Sequence, residues 1–238
     1  MEVTVIYSWL LERLKCEFEI LRLLKQSPRG SVELIQHRES GRRFILRRFT
    51  GNGAVYRRLL DCSCRHLPLI YEAVEQDGDN LVIEEYIEGD TLDFLLKGAL
   101  CSPAETKQIV LQLCQALWVL HSRGAVHRDI KPENVILREN DAVLIDFDAA
   151  RLHKPQAEAD TQILGTTGFA APEQYGLGQS DTRTDIYSLG VLMNVLLTGQ
   201  HPSKRLAEGR LGRVIQRCTQ VNPAKRYKDV MNLAEALS

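Results

Sequence analysis

The run His127-Arg128-Asp129-Ile130-Lys131-Pro132-Glu133-Asn134, followed by Asp146-Phe147-Asp148, constrains this chain more than any other feature. It sets a carboxylate, an ammonium group and an amide on one short loop, and a second carboxylate one β-hairpin later. Transfer of a phosphoryl group from ATP calls for that set. A carboxylate accepts a hydroxyl proton, a cation holds the γ-phosphate, and an amide plus a carboxylate hold metal ions.

Three segments further along agree with the loop: Gly165-Thr166-Thr167-Gly168-Phe169-Ala170-Ala171-Pro172-Glu173-Gln174, Asp185-Ile186-Tyr187-Ser188-Leu189-Gly190, and Asn222-Pro223-Ala224-Lys225-Arg226-Tyr227. Together these runs resemble the bacterial, eukaryotic-type (Hanks-type) Ser/Thr protein kinases, over roughly residues 60–235. The resemblance implies an α+β, two-lobed kinase-like fold. A small antiparallel β-sheet lobe with one short helix would occupy residues 1–86, and a mostly helical large lobe residues 87–238. It also implies roles. Asp129 is the catalytic base, Lys131 reaches the γ-phosphate, and Thr166 hydrogen-bonds both. Asn134 and Asp146 are the magnesium ligands, with manganese as the alternative ion. Glu173 pairs with Arg226 in the interior, Asp185 holds the backbone of the catalytic loop, and His127 is a packing element. Arg128 beside Asp129 marks kinases switched by a phosphate on the activation segment. Thr161 is the best-placed acceptor for it, although an ordinary solvated loop threonine reads the same way.

The elements can be placed by pattern. Residues 9–24 mix helical and extended spacing, which predicts a short N-terminal helix and a first strand near 18–25. Val32–His37 and Arg43–Phe49 read as strands, followed by a short helix at 53–61 and strands near Leu69–Glu75 and Asn80–Glu85. Ser102-Pro103-Ala104-Glu105 is a capping box with proline at the first helical position, and Gly124 ends that helix. Thr184 or Asp185 is expected to cap a buried helix from Ile186 to Leu197, with short helices near 210–219 and 228–237. His201–Gly209 is too brief for another.

The small lobe departs from the family pattern. ATP phosphates are normally cradled under Gly-x-Gly-x-x-Gly-x-Val, because glycines let backbone amides approach the anion. The matching run is Lys25-Gln26-Ser27-Pro28-Arg29-Gly30-Ser31-Val32, which keeps only the last glycine. Pro28 has no amide hydrogen to donate, and Arg29 offers a side-chain contact in its place. The usual Val-Ala-Ile-Lys becomes Phe44-Ile45-Leu46-Arg47. Arginine keeps the charge but brings a planar fork to a site built for a compact ammonium, and Ile45 narrows the adenine face. No acid stands between Arg47 and Asp61, so the helix cannot supply the lysine's usual glutamate. Glu84 falls at the gatekeeper position and is expected to pair with Arg47 across the sheet in its stead. A surface position for Glu84 and a solvated Arg47 are the plainer alternatives. Asp148 replaces the glycine of Asp-Phe-Gly, stiffening that turn and adding a carboxylate near the metal ligands. The resemblance places the nucleotide against Gly30, Val32, Ile45, Arg47, the hinge residues Glu85 and Ile87, and Ile136.

A net charge of -1 gives no argument for nucleic acid or a membrane surface, and no apolar run or basic leader suggests a membrane span or signal peptide. The six scattered cysteines suit reduced, buried thiols better than a zinc site. The cysteines and the lack of a leader suggest a cytoplasmic chain, and the resemblance implies action on a protein Ser/Thr hydroxyl, with a regulatory protein as an additional partner. Three readings remain open: an active divergent kinase, a pseudokinase that binds without transfer, and a small-molecule phosphotransferase.

Overall fold

The computed structural model describes residues 2–152, 168–175 and 179–238. The chain divides into two compact units, residues 1–64 with 68–87, and residues 65–67 with 88–238.

The smaller unit is built on helix α1 (Glu2–Glu17) and strands β1 (Phe18–Ser27), β2 (Gly30–His37), β3 (Arg43–Thr50), β4 (Ile70–Gln76) and β5 (Asp79–Glu85). Helix α2 (Ala54–Leu59) lies between β3 and β4. The strands form one antiparallel sheet in the order β1-β2-β3-β5-β4. Strand alternation sorts its two faces. Ile35, Leu46, Leu81 and Ile83 point one way and pack with Leu10 and Leu14 of α1. Burying each leucine contributes roughly 1.5–3 kcal/mol. That stripe also explains why α1 is longer than the short helix expected: Leu10 and Leu14 sit one turn apart on the sheet, and the Arg13–Glu17 pair (2.6 Å) supports the last turn. The alternate residues Ile45, Arg47 and Phe49 of β3, with Val82 and Glu84 of β5, belong to the opposite face. There the ring of Tyr56 on α2 lies 5.6 Å from that of Phe49.

The larger unit contains strand β6 (Asp90–Thr91), helices α3 (Leu92–Leu96) and α4 (Pro103–Ser122), strands β7 (Ala125–Val126), β8 (Val135–Arg138), β9 (Asp141–Leu144) and β10 (Arg151–Leu152), and helices α5 (Thr182–Thr198), α6 (Gly209–Cys218) and α7 (Val230–Leu237). α4 starts on the expected capping box: Ser102 Oγ accepts from the Glu105 amide (3.2 Å) and Glu105 Oε2 from the Ser102 amide (2.8 Å). α5 begins earlier than the sequence suggested. Its cap is Asp181, whose Oδ1 accepts from the Arg183 amide (2.7 Å), while Thr184 Oγ accepts from the Asp181 amide (3.2 Å). Thr184 is thus the far side of a capping box, and Asp185 sits within the first turn, pointing inward. The body of α5 is buried nearly all round, as its composition requires. Gly190 lets α6 approach closely, since a Cβ there would lie 2.4 Å from that of Cys218. The segment His201–Glu208 forms no helix and is tied to the buried Asn194, which donates to the carbonyls of Gln200 (2.7 Å) and Arg205 (2.8 Å) and accepts from the Ala207 amide (2.9 Å). Among the described residues no helix is long and apolar enough to cross a membrane.

Candidate active site

Between β7 and β8 the chain makes the loop that carries the chemistry-bearing run. Pro132 opens a single turn of 3-10 helix ending at Asn134, and that turn folds the amide back on Asp129. Asn134 Nδ2 donates to the Asp129 carbonyl (2.8 Å) and to Asp129 Oδ2 (2.9 Å), and Lys131 Nζ stands 2.9 Å from the same Oδ2. Asp129, Lys131 and Asn134 therefore form one knot in which each fixes the others. Asp129 and Lys131 keep part of their side chains in solvent, so both can be reached from outside.

The loop is held from beneath by Asp185, whose side chain is fully buried. Its Oδ2 accepts from the His127 amide (2.9 Å) and pairs with His121 Nε2 (2.8 Å), while Oδ1 accepts from the Arg128 amide (2.8 Å). These bonds offset a strained backbone: Arg128 sits at φ 69, a left-handed conformation costing about 1–2 kcal/mol for a residue with a Cβ. Burial alone would raise the Asp185 carboxyl, but the hydrogen bond and charge of His121, with the loop amides, hold it below the usual carboxylate range. Burial lowers the His127 imidazole below its ordinary value, more than the nearby carboxylates raise it. Its Nδ1 accepts from the Asp129 amide (3.3 Å), so Nε2 carries the hydrogen that reaches Ile145 O (3.2 Å), and the ring packs edge-on to Phe147. His127 is a packing and positioning group.

The β8–β9 hairpin brings Asp146 to the loop. Val135 pairs with Leu144, and the next bond, Ile145 amide to Asn134 carbonyl (2.9 Å), sets Asn134 beside the approach to Asp146. Asp146 also adopts a left-handed backbone (φ 67) and accepts the Asp148 amide at 3.3 Å. With Asn134 Nδ2 committed to Asp129, the amide presents its oxygen, and Asp146 is a carboxylate. Both are hard donors that suit Mg²⁺ or Mn²⁺. Among the described residues no group of three or more His, Cys, Asp or Glu is arranged for a metal. The donor set fits an ion that takes its remaining ligands from water and phosphate. Asp148 is exposed, and its φ lies outside the left-handed region, so glycine is not required there.

In the smaller unit the β1–β2 connection is a tight turn of Pro28 and Arg29, with Ser27 and Gly30 paired across it. Pro28 has no N–H, and the Arg29 amide donates to Ser27 Oγ (3.3 Å). The tip thus lacks the row of inward amides that a phosphate cradle needs. Gly30 is kept by packing, because a Cβ there would meet the Arg48 carbonyl oxygen at 1.8 Å. Val32 stands opposite Arg47, and Ile45 opposite Glu84. Arg47 Nε donates to Glu84 Oε1 at 2.7 Å, with only 6% and 4% of the two side chains exposed. The expected cross-sheet pair is present, and neither residue is a surface group. Glu85 and Ile87 lie at and beyond the end of β5. The Glu85 amide donates to the Leu69 carbonyl (2.8 Å), and its carboxylate accepts the Leu69 amide (3.1 Å). Ile136 is half-buried on β8, opposite Val143. Thr161 and Thr166 lie outside the described residues.

Residues 56–236 match the family model described as the protein kinase domain. The chain belongs to the protein kinase family. The match begins at Tyr56, so β1–β3, where the pattern departs, fall outside it. Among curated proteins the kinase resembles serine/threonine-protein kinase D of Synechocystis, 31% identical over 195 residues, covering 72% of this chain and 38% of that one. It is likewise similar to PknA of Nostoc, 31% identical over 196 residues (72% and 35%), and to PknL of Mycobacterium tuberculosis, 29% over 233 residues (87% and 58%). These relatives identify a bacterial kinase domain of the Hanks type. The chain spans between about a third and three-fifths of their lengths.

Further kinase features are assembled as the pattern implies. Glu173 Oε1 and Oε2 accept from Arg226 Nη1 (2.7 Å) and Nη2 (2.8 Å), Thr184 Oγ donates to Oε1 (2.9 Å), and the guanidinium lies over Tyr187. Three residues were not singled out from sequence. Gln174 Nε2 donates to the Arg128 carbonyl (2.8 Å) while its Oε1 accepts the Ala171 amide (2.9 Å), tying the segment before Glu173 to the catalytic loop. His121 completes the Asp185 cluster. Tyr56, on the helix that lacks an acid, turns its ring toward Arg47, 5.9 Å from centroid to guanidinium carbon. Gln174 is marked by its burial, which only the structure shows. Tyr56 carried no signal, since a tyrosine at helical spacing reads as core.

Proposed function

We propose that this chain is an ATP-dependent protein kinase that transfers the γ-phosphate to a Ser or Thr hydroxyl of a protein substrate. The observation that carries the reading is the Asp129–Lys131–Asn134 knot, held by Asp185. A purely structural polar loop would need neither a lysine two residues from an aspartate nor two strained residues beside it. Asp129 accepts the proton of the attacking hydroxyl, a contribution of about 10²–10⁴ in rate for a positioned base. Lys131 holds Asp129 in place and offers an ammonium to the transferred group. Asn134, through its amide oxygen, and Asp146 would hold Mg²⁺ or Mn²⁺. When bound, the metal–nucleotide supplies the phosphoryl group and neutralises its charge. In the smaller unit, Arg47 is assigned to the phosphates, and Val32, Ile45, Glu85 and Ile87 to the nucleoside. Ile136 of the larger unit is also assigned to it.

One observation favours a second reading, a pseudokinase. The Pro28–Arg29 turn offers no amide cradle, so nucleotide would be held by fewer contacts than the family provides. Thermal unfolding with ATP, with and without Mg²⁺ or Mn²⁺, followed by transfer from labelled ATP to a generic Ser/Thr substrate and to the chain itself, separates the two. A ligand at one hundred times its Kd stabilises by about 2.7 kcal/mol, which a melting curve resolves. Metal-dependent stabilisation with transfer supports the kinase. Stabilisation without transfer supports the pseudokinase.

A further inference from the structure

The cation on β3 has a surround that the family pattern does not supply. Val32 of β2 and Val82 of β5 stand directly opposite Arg47 on either side, and directly opposed residues share a face. Ile45 and Phe49, two residues away on β3, lie on that face as well. Glu84 reaches Arg47 diagonally from β5, and it does so through Nε, the nitrogen inside the guanidinium fork (2.7 Å). Tyr56, 1% exposed, presents its ring to the guanidinium from α2 and leans on Phe49.

The Glu84 contact through Nε asks for arginine and not lysine, and the ring contact favours it. A lysine has no donor partway along its stem, and a compact ammonium lacks the flat face that stacks on an aromatic ring. Apolar walls on both sides make the carboxylate's hold stronger than it would be in water, and make a mismatched cation costly. The two charged partners also belong to adjacent strands of one sheet. Kinases usually set the strand lysine with a glutamate on a helix, and moving that helix makes or breaks the pair. Here α2 carries Arg57 and Arg58 but no acid, and what it gives to the cation is an aromatic face.

We propose that Glu84 and Tyr56 are positioning residues that form an arginine-specific seat for Arg47. Its ion pair is made within the sheet, between β3 and β5, so that pair does not depend on helix movement; only the ring of Tyr56 comes from α2. The seat rests on the kinase reading for its role toward the nucleotide, although its existence does not.

The test compares wild type with Arg47→Lys, Glu84→Gln, the double variant, Tyr56→Phe and Tyr56→Leu. Each is measured for its own melting temperature and for the concentration dependence of its further stabilisation by Mg²⁺–ATP and by Mg²⁺–ADP. Arg47→Lys, although it restores the family's residue, is expected to weaken nucleotide binding at least tenfold. Glu84→Gln should do the same, and the double variant should be no worse than either single one. Tyr56→Phe, which keeps the ring, should retain more affinity than Tyr56→Leu. Scoring each variant against its own unliganded melt separates positioning from general destabilisation. Nucleotide binding by Arg47→Lys that equals or exceeds wild type overturns the seat and leaves the kinase reading standing. Additive losses in the double variant overturn it too. A wild type that ignores nucleotide defeats the kinase reading, and the seat's role toward nucleotide with it. Non-additive melting temperatures of the Arg47 and Glu84 variants would then show only that the pair exists.

Discussion

The catalytic loop of the larger unit and the β3 cation of the smaller one hold charged groups in opposite ways. In the loop, every functional side chain has the family's identity, and the supports are many: Asp185 on two amides, Gln174 on a carbonyl, and Asn134 and Lys131 on Asp129. On β3, the identity of the cation, its acidic partner and the helix residue above it have all changed, yet a buried ion pair is still made. The difference teaches which demands are chemical and which are architectural. A proton acceptor beside an ammonium and an amide leaves few alternatives in residue type. A positive charge at a fixed place can be supported by any well-packed acid, from a helix or from a strand.

The largest effect should come from the side that kept its identities. Asp129→Asn preserves the loop's shape and its bond from Asn134 but removes the proposed proton acceptor. Transfer should fall by about 10²–10⁴ while stabilisation by Mg²⁺–ATP is unchanged. Retained transfer in the purified variant would show that the loop is not the site of chemistry, and the comparison would lose its first term. Next is the interior pair beneath the loop. Arg226→Ala strands the buried Glu173 carboxylate, and unfolding by denaturant should lose about 3–5 kcal/mol. A loss under about 1 kcal/mol would mean the pair is peripheral to the unit's stability.

Asp146→Ala should come third. It removes the carboxylate of the proposed metal-ligand pair, so the added stability at saturating nucleotide, about 2.7 kcal/mol at one hundred times Kd, should become the same with and without metal. A variant that still distinguishes Mg²⁺–ATP from ATP would move the metal site elsewhere. Acid should weaken the larger unit in two stages. His127 is buried and its folded value lies below the ordinary ~6.5, so its contribution is complete above that pH and is lost as the pH falls below it. His201, partly buried, acts in the same direction. Asp185, also lowered, contributes fully above its ordinary ~3.9 and is lost as the pH falls through its folded value. Denaturant midpoints between pH 8 and 5 should decline less in His127→Gln than in wild type. An unchanged slope would remove His127 from the account.

Much of this was legible before the structure, and unevenly so. The capping box at Ser102, the stop at Gly124 and the all-round apolar α5 were readable because they rest on local rules. The start of α5 was misplaced because Asp181 and Thr184 both carry cap chemistry, and only the reciprocal bonds decide between them. The length of α1 was underestimated because its buried stripe has only Leu10 and Leu14, and the sheet they pack on is formed by residues far along the chain. At the site, Asp129, Asn134 and the Arg47–Glu84 pair could be found from residue type and strand register. Tyr56 could not, since its use depends on where a six-residue helix sets one ring.

The smallest effect is expected at Asp148, the departure from the pattern in the run Asp146-Phe147-Asp148 of the larger unit. If altered residues always signalled rebuilt architecture, as at Arg47, restoring glycine here would disturb the site. The geometry says otherwise. Asp148 is exposed, its φ does not demand glycine, and its bond to Asp146 Oδ1 comes from the backbone amide, which glycine also has. Asp148→Gly should therefore keep that bond, and its added backbone freedom costs about 0.5–1 kcal/mol of stability. Metal-dependent ATP stabilisation should stay within about threefold, since one exposed carboxylate is largely screened. Titrating Mg²⁺ and Mn²⁺ against both proteins decides the matter. A tenfold or larger change in metal dependence would make Asp148 a ligand and place this segment, like β3, among the rebuilt parts of the molecule.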